Sequence, residues 1–340
     1  MKYRVLGKTH LKVSEIGFGG IPIQKLTQEE AAKVIHKAEE TGINFIDTAR
    51  AYSCSEEYIG KALKGRRKNW IIATKSMARS YEDMKRDIEI SLKNLNTDYI
   101  DLYQLHNVKD IASYKEAFGE NGALKALLEA KEKGIIRHIG VTSHSLDMLK
   151  HMIENPLVET IMYPYNVVER QAIETFKLAK ERNIGIIAMK PMAGGVLSDG
   201  KLALKFILKD DFISTAIPGM ASIQEVIENV SASKEEITKD EIELCDNIYK
   251  EMDKEFCRRC GYCAPCPQGI DIPFSFILRG YYVNYDLKDW AKERYNNLKA
   301  HASDCRECGI CETRCPYDLQ IRKMLKEVKN LRILGGIFVA

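Results

Sequence analysis

Along residues 1–230, short apolar runs rich in β-branched residues alternate with longer stretches whose apolar positions recur at helical spacing. The strand-like runs are 16–18, 44–47, 71–75, 99–105, 136–142, 160–163, 185–189 and 212–217. Each is followed by a helical stretch, at 28–41, 56–63, 81–95, 123–133, 146–154, 171–182, 201–209 and 223–230. Gly42, Gly134 and Gly185 follow helices, where left-handed caps are needed. Eight successive βα units predict an α/β chain folded as a (β/α)8 TIM barrel, an architecture of about 250 residues. A doubly wound sheet competes, but no G-x-G-x-x-G opens a helix. Ahead of the first unit, 3–6 and 11–13 flank Gly7-Lys8-Thr9-His10, predicting a hairpin that closes one barrel end. The expected division is a barrel over 1–235, a connecting helix packed on it over 236–256, and a small helical domain over 257–340.

Composition narrows the function classes. The 340 residues suffice for one large core and a small appendage, and a net charge of +3 makes no electrostatic case for nucleic acid. No apolar run approaches the roughly 20 residues of a membrane span. The short apolar stretch 333–340 is expected to pack as a terminus. The opening residues lack the apolar core of a secretory signal, so a reducing cytoplasm is expected.

Eight of the ten cysteines fall in two runs: Cys257, Cys260, Cys263 and Cys266, then Cys305, Cys308, Cys311 and Cys315. Each run ends in Cys-Pro. The second has the bacterial ferredoxin spacing C-x2-C-x2-C-x3-C-P, and the first is one residue shorter before its last cysteine. Two 4Fe-4S clusters are expected, in a helical ferredoxin-like module, because 38 residues separate the runs. Zinc sites are the competing reading, although zinc uses C-x2-C pairs rather than fours. A disulfide framework fits neither the compartment nor the length. In two-cluster ferredoxins the fourth cysteine ligates the other cluster. That rule groups Cys257, Cys260 and Cys263 with Cys315, and Cys305, Cys308 and Cys311 with Cys266. From residue 257 onward, 14 Lys/Arg face 9 Asp/Glu. That excess offsets clusters carrying about −2 each. Cys54 and Cys245 lie outside the runs and read as small apolar residues.

Barrel enzymes carry their chemistry at the C-terminal ends of strands. Asp47 ends one strand with Tyr52 five residues on, Lys75 ends the next, and His106 follows the third. Alone each is weak, since Tyr52 is one of sixteen tyrosines. Together they form an acid system for a carbonyl that gains negative charge. The phenol of Tyr52 donates a proton, Lys75 lowers its pKa, Asp47 anchors Lys75, and His106 orients the substrate oxygen.

The segment Phe45-Ile46-Asp47-Thr48-Ala49-Arg50-Ala51-Tyr52, with Ser55-Glu56 and Ile59-Gly60, resembles the signature loop of the aldo-keto reductase superfamily. Ile72-Ala73-Thr74-Lys75 and 98–106 are similar to that family's lysine and histidine segments. With the cysteine runs, the chain resembles the superfamily's ferredoxin-tailed branch. The resemblance implies a nicotinamide dinucleotide, NAD(H) or NADP(H), extended across the barrel mouth. It implies that Thr142 and Ser143 hold the carboxamide, that Met189 and Met192 border the nicotinamide ring, and that Gly219, Ser222, Glu225, Glu228 and Asn229 serve the adenosine end. The chain departs from the family at Met162, where glutamine is common, and at Met189, where an aromatic often stacks. Glu225 stands where NADPH users carry basic residues, so NADH is expected to be favoured.

A hydride carries two electrons and a cluster exchanges one, and no flavin site is visible in the sequence. The leading expectation is an oxidoreductase that reduces a small carbonyl or oxidises an alcohol. Its clusters would serve a redox partner such as a ferredoxin or flavoprotein. The alternative is a nicotinamide-binding electron-transfer or redox-sensing subunit, and a third reading makes the clusters structural. Tyr163, Tyr165 and Phe118 are expected either at an apolar pocket opening or in the core.

Overall fold

Helix starts are written into the sequence as polar caps. Thr27, Ser80, Ser145, Asp199 and Ser222 each accept a backbone N–H from the first turn that follows, meeting donors that helix geometry leaves orphaned. The computed structural model describes residues 1–252 and 254–330. A hairpin, β1 (Tyr3–Val5) and β2 (Lys12–Ser14), comes first. The barrel strands are β3 (Phe18–Gly19), β4 (Phe45–Asp47), β5 (Ile71–Ser76), β6 (Ile100–Leu105), β7 (Ile136–Thr142), β8 (Thr160–Pro164), β9 (Gly185–Met189) and β10 (Thr215–Ala216). Between and after them lie α1 (Gln28–Glu40), α2 (Ser55–Ala62), α3 (Tyr81–Asn94), α4 (Ile111–Phe118), α5 (Ala123–Glu132), α6 (Leu146–Met152), α7 (Ile173–Glu181), α8 (Gly200–Leu208) and α9 (Ile223–Ser231).

The eight strands pair in parallel in chain order. Bridges Ile16–Ala216 and Gly19–Gly219 join the two edges, so the sheet closes as the sequence predicts. The hairpin caps the N-terminal end. Gly7, at φ +52°, sits so close to the start of β9 that a Cβ would lie 2.2 Å from the Gly185 nitrogen. The run 212–217 forms only two residues of strand, and 111–118 adds a helix that the periodicity did not reveal.

Side-chain alternation divides the sheet into two faces. Ile46, Ile72, Tyr103, Val141 and Ile161 point outward and pack beneath the helices. Phe45, Ala73, Leu102, Met162 and Ile187 fill the barrel interior, plugged from below by Leu6 and Val13. Tyr163 and Tyr165 belong to the outer core, and Phe118 stacks on Tyr114 at 4.2 Å, so none of the three opens a pocket.

Helix α10 (Lys239–Met252) buries Cys245 against the barrel, where Arg170 donates to Asp246 at 2.6 Å and to the Cys245 carbonyl. Beyond it, α11 (Ile272–Val283), α12 (Lys288–Asn296), α13 (Ile310–Thr313) and α14 (Ile321–Asn330) surround a separate apolar core that includes Cys263 and Cys311. This module lies across the C-terminal mouth of the barrel. Asn284 donates to the Gly194 carbonyl at 2.8 Å, Tyr262 to Asp147 at 2.6 Å, and Arg259 pairs with the buried Glu169. The expected packed terminus at 333–340 lies outside the described residues.

At the opposite, N-terminal rim, two carboxylates tie strands together. Asp101 accepts from Ile72 N–H at 3.0 Å and from Arg67 and Arg137. Glu159 accepts from Ile139 N–H at 2.9 Å, from Lys131 at 2.6 Å, and meets His138 at 2.7 Å. Burial opposes the Glu159 charge, but the His138, Lys131 and Ile139 hydrogen bonds together prevail and hold the carboxyl down at about 2. A depressed carboxyl stabilises the fold above its ordinary pKa of about 4.5, and that stabilisation, roughly 3 kcal/mol, disappears as pH falls through about 2. Glu159→Gln should therefore melt several degrees below the parent at pH 7, with the gap narrowing between about pH 5 and 2 in thermal scans.

Candidate active site

The alternation that fills the barrel also aims the polar strand ends. Asp47 follows Phe45 on the inward face, Lys75 follows Ala73, and Gln104 follows Leu102, with Lys75 and Gln104 paired in register. Gly140 leaves the room that Gln104 occupies, since a Cβ there would meet its Cγ at 3.0 Å. Asp47 and Lys75, both nearly inaccessible, form a buried ion pair. The Lys75 ammonium also donates to the Thr48 carbonyl at 2.8 Å, and Gln104 donates to the second Asp47 oxygen at 3.2 Å.

The loop that carries Tyr52 is held from behind. Buried Glu56 accepts from Arg50 at 2.9 Å, Thr74 and Ser91 at 2.8 Å, and Asn94 at 3.1 Å. Ser55 accepts from Thr48 at 2.8 Å and donates to the Gly20 carbonyl at 2.9 Å. Tyr52 is thereby set with its ring face 4.9 Å from the Lys75 ammonium and edge-to-face with His106, centroids 6.1 Å apart. The four expected residues line one cavity of about 280 Å³.

Electrostatics there differ from the sequence expectation in one respect. Burial raises the Tyr52 phenol well above its ordinary pKa, and Asp47, Tyr281 and Tyr285 push it further in the same direction. Lys75, paired with Asp47 and lying against the ring, does not offset these effects in the resting site. Burial, with Lys75 and Arg79 nearby, pushes His106 well below its usual range, so the imidazole is neutral.

The residues expected to hold a dinucleotide divide into two groups. Thr142, Met189, Met192 and Gly219 line the cavity. Ser143 does not: it is fully buried, donates to the Val108 carbonyl at 2.7 Å and accepts from Ser145 N–H at 3.0 Å. Thr142 is itself an acceptor for Asn107 N–H at 2.7 Å. Ser222 caps α9, and Glu225 closes that capping box by accepting from the backbone N–H groups of Ala221 and Ser222. Glu228 accepts from Gln224, and Asn229 is buried. These four lie outside the cavity, on the adjoining helix.

Asn107, His144 and Lys190 line the cavity without having been singled out in the sequence. His106 Nδ1, Asn107 Oδ1 and His144 Nδ1 are buried, lack hydrogen-bond partners among the described residues, and belong to side chains that line the cavity. Such orphaned atoms fit a polar ligand such as a carboxamide. Lys190 also lines it, and burial with Arg259 pushes its ammonium down to about 7 against the pull of Glu169. His144 and Lys190 directly follow expected residues at strand ends, a signal that was available. The cavity roof was not legible: Phe274, Ile277, Tyr281, Tyr285, Trp290 and Arg294 come from α11, α12 and the turn between them.

On the other side of α11, Cys257, Cys260, Cys263 and Cys315 line a second cavity together with Ile272, Pro273 and Phe276 of that helix. This is the set that the ferredoxin rule groups. Among the described residues no three His, Cys, Asp or Glu side chains converge as tightly as one ion requires. Thiols around a cavity suit a cubane, which holds its ligands farther apart than a single metal does. Burial pushes the Cys257 thiol up to about 11 and Cys263 up to about 12, so a bound cluster has to supply the positive charge that favours thiolates. The second set is looser. Cys311 lies within electrostatic reach of Cys305, Cys266 borders the same apolar core, and Cys308 is exposed.

Comparison with known proteins matches this geometry. Residues 15–202 fit the model of the aldo/keto reductase family, and residues 256–320 fit that of a 4Fe-4S dicluster domain. L-galactose dehydrogenase of Arabidopsis thaliana is 28% identical over 69% of this chain and 89% of its own. An aldo-keto reductase from Bacillus halodurans, solved in its holo form, superposes with a TM-score of 0.66 at 30% identity, over 73% of this chain and 96% of that one. One from Klebsiella pneumoniae, in complex with NADPH, superposes with a TM-score of 0.64 at 22% identity, covering 73% and 95%. A closed eight-stranded barrel and the family match together make this chain a member of the aldo/keto reductase family, an oxidoreductase whose barrel is joined to a 4Fe-4S dicluster domain.

Proposed function

We propose that the protein is a nicotinamide-dependent oxidoreductase that reduces a small carbonyl, or oxidises the matching alcohol, with Tyr52 as general acid and base. The observation that carries this reading is the buried Asp47–Lys75 pair beneath Tyr52, with neutral His106 at right angles, all facing one cavity. The nicotinamide ring, when bound, supplies or accepts a hydride. Thr142, Met189, Met192 and Gly219 are the residues that would border it, with the orphaned atoms of Asn107 and His144 available to its carboxamide.

Each protein group then has one task. A carbonyl oxygen gaining negative charge takes the phenolic proton of Tyr52, which burial keeps on the phenol at neutral pH. As negative charge forms on Tyr52, the Lys75 ammonium stabilises it, and Asp47 holds that ammonium in place. Neutral His106 donates to the same substrate oxygen.

The dicluster domain exchanges single electrons with a partner of ferredoxin or flavoprotein type, and Cys257, Cys260, Cys263 and Cys315 hold the cluster nearer the barrel. A cytoplasmic setting suits such thiolate-held clusters. A second reading is favoured by one observation: the cysteines belong to the apolar core of the module that roofs the cavity. On that reading the clusters are scaffold. NADH is preferred over NADPH because Glu225 keeps a carboxylate at the start of α9, where a 2′-phosphate would meet like charge.

Tyr52→Phe is expected to lower kcat by about 10²–10⁴-fold while leaving NADH affinity intact. Equal turnover by mutant and parent in steady-state assays would remove Tyr52 as the acid. Glu225→Arg should shift the NADPH-to-NADH ratio of dissociation constants by about tenfold toward NADPH, read by nucleotide fluorescence. Cys311→Ser should bleach visible cluster absorbance and slow anaerobic electron exchange with an added ferredoxin or flavoprotein. Exchange unaffected by that loss, with only the melting temperature lowered, would make the clusters structural.

A further inference from the structure

The catalytic cavity holds more positive charge than its ion pair consumes. Asp47 is the one carboxylate among its described lining residues, and Lys75 claims it. Two basic side chains are left over. Lys190 stands at the end of β9, beside the expected dinucleotide contacts Met189 and Met192. Arg294 enters on α12 of the dicluster domain.

Arg294 is both oriented and underused. Its guanidinium lies 3.8 Å over the Trp290 ring, which fixes its plane. Among the described residues it makes one hydrogen bond, from Nη2 to the Ala51 carbonyl at 3.3 Å, next to Tyr52 in the chain. The nearest carboxylate, on exposed Glu293, is 3.8 Å away, beyond hydrogen-bond reach. A guanidinium has five N–H donors in a planar fork that matches a carboxylate. Most of that fork is unclaimed at the wall of a cavity whose roof is otherwise Phe274, Tyr281, Tyr285 and Trp290.

We propose that Arg294 is a substrate anchor, and that the preferred substrate is an aldehyde or ketone carrying a carboxylate on a short apolar or aromatic body. The inference rests on the reading of Tyr52 as proton donor and specifies the substrate class for that site. In the reaction the carbonyl carbon gains a hydride from the reduced nicotinamide, which is oxidised, and the oxygen gains the Tyr52 proton. The carboxylate is unchanged, bound to Arg294 while the aromatic roof covers the body between the two ends. The dicluster domain thereby selects the substrate that the barrel reduces.

Binding and turnover test this separately on the cluster-loaded full chain. Benzoate and benzyl alcohol are titrated while Trp fluorescence is followed. The chain has two tryptophans, and Trp70 is buried, so Trp290 reports on the cavity. Benzoate is expected to bind the parent, and Arg294→Gln to weaken it by about 10–100-fold, with Arg294→Lys intermediate. Cluster absorbance and circular dichroism establish that both variants are folded. In turnover, para-carboxybenzaldehyde should be favoured over benzaldehyde by kcat/KM, and Arg294→Gln should collapse that preference through KM. Benzoate affinity indifferent to Arg294 overturns the anchor and leaves Arg294 as a tether between module and barrel. If benzoate still requires Arg294 but neither aldehyde is reduced, the anchor stands and the Tyr52 reading falls.

Discussion

A lysine and an aspartate at the mouth of a barrel, both nearly sealed from water, are the constraint around which this structure is arranged. Taking two charges into a low-dielectric interior is expensive, and removing either partner would leave the other uncompensated at about 3–5 kcal/mol. The chain satisfies the pair with the Thr48 carbonyl and the Gln104 amide, and Gly140 leaves the space that Gln104 needs. An apolar pair of similar volume would have stabilised the interior more simply. Retaining charge there makes sense for chemistry, because the ammonium sits under the ring of the one tyrosine set beside His106.

That placement follows from period-two alternation. The parity that sends Phe45, Ala73 and Leu102 inward carries Asp47, Lys75 and Gln104 to the same face one step further along. A one-residue slip in any of these strands would turn its polar end toward the helices. The hairpin plug and the carboxylates Asp101 and Glu159 hold the register at the other rim, remote from the cavity. Stability and chemistry thus occupy opposite ends of one sheet.

The dicluster domain changes what the barrel can be. Helix α11 presents Ile272, Pro273 and Phe276 to the cysteine-lined cavity and Phe274, Ile277 and Tyr281 to the one at the barrel mouth. One helix, about 10–12 Å across with its side chains, therefore separates the two. The same helix raises the Tyr52 pKa, since Tyr281 and the nearby Tyr285 add to burial. The pKa of the Tyr52 phenol is set partly by residues more than 200 positions away in the chain.

Much of this was legible in the residues themselves. The eight βα units, the hairpin, the four inward polar residues and the two cysteine runs are all local patterns, and local patterns record which face a side chain takes. The expected grouping of Cys315 with Cys257, Cys260 and Cys263 corresponds to the four thiols that line one cavity. Short-range spacing says nothing about what covers a barrel mouth or how far a buried charge is already spoken for. The tertiary structure therefore decided the remaining points. Ser143 turns to the Val108 carbonyl, Lys75 pairs with Asp47 while burial holds the resting phenol above its ordinary range, and Arg294 arrives beside Tyr52 from a different domain. Each depends on groups distant in sequence meeting where water is excluded, and there desolvation and partner choice set the chemistry.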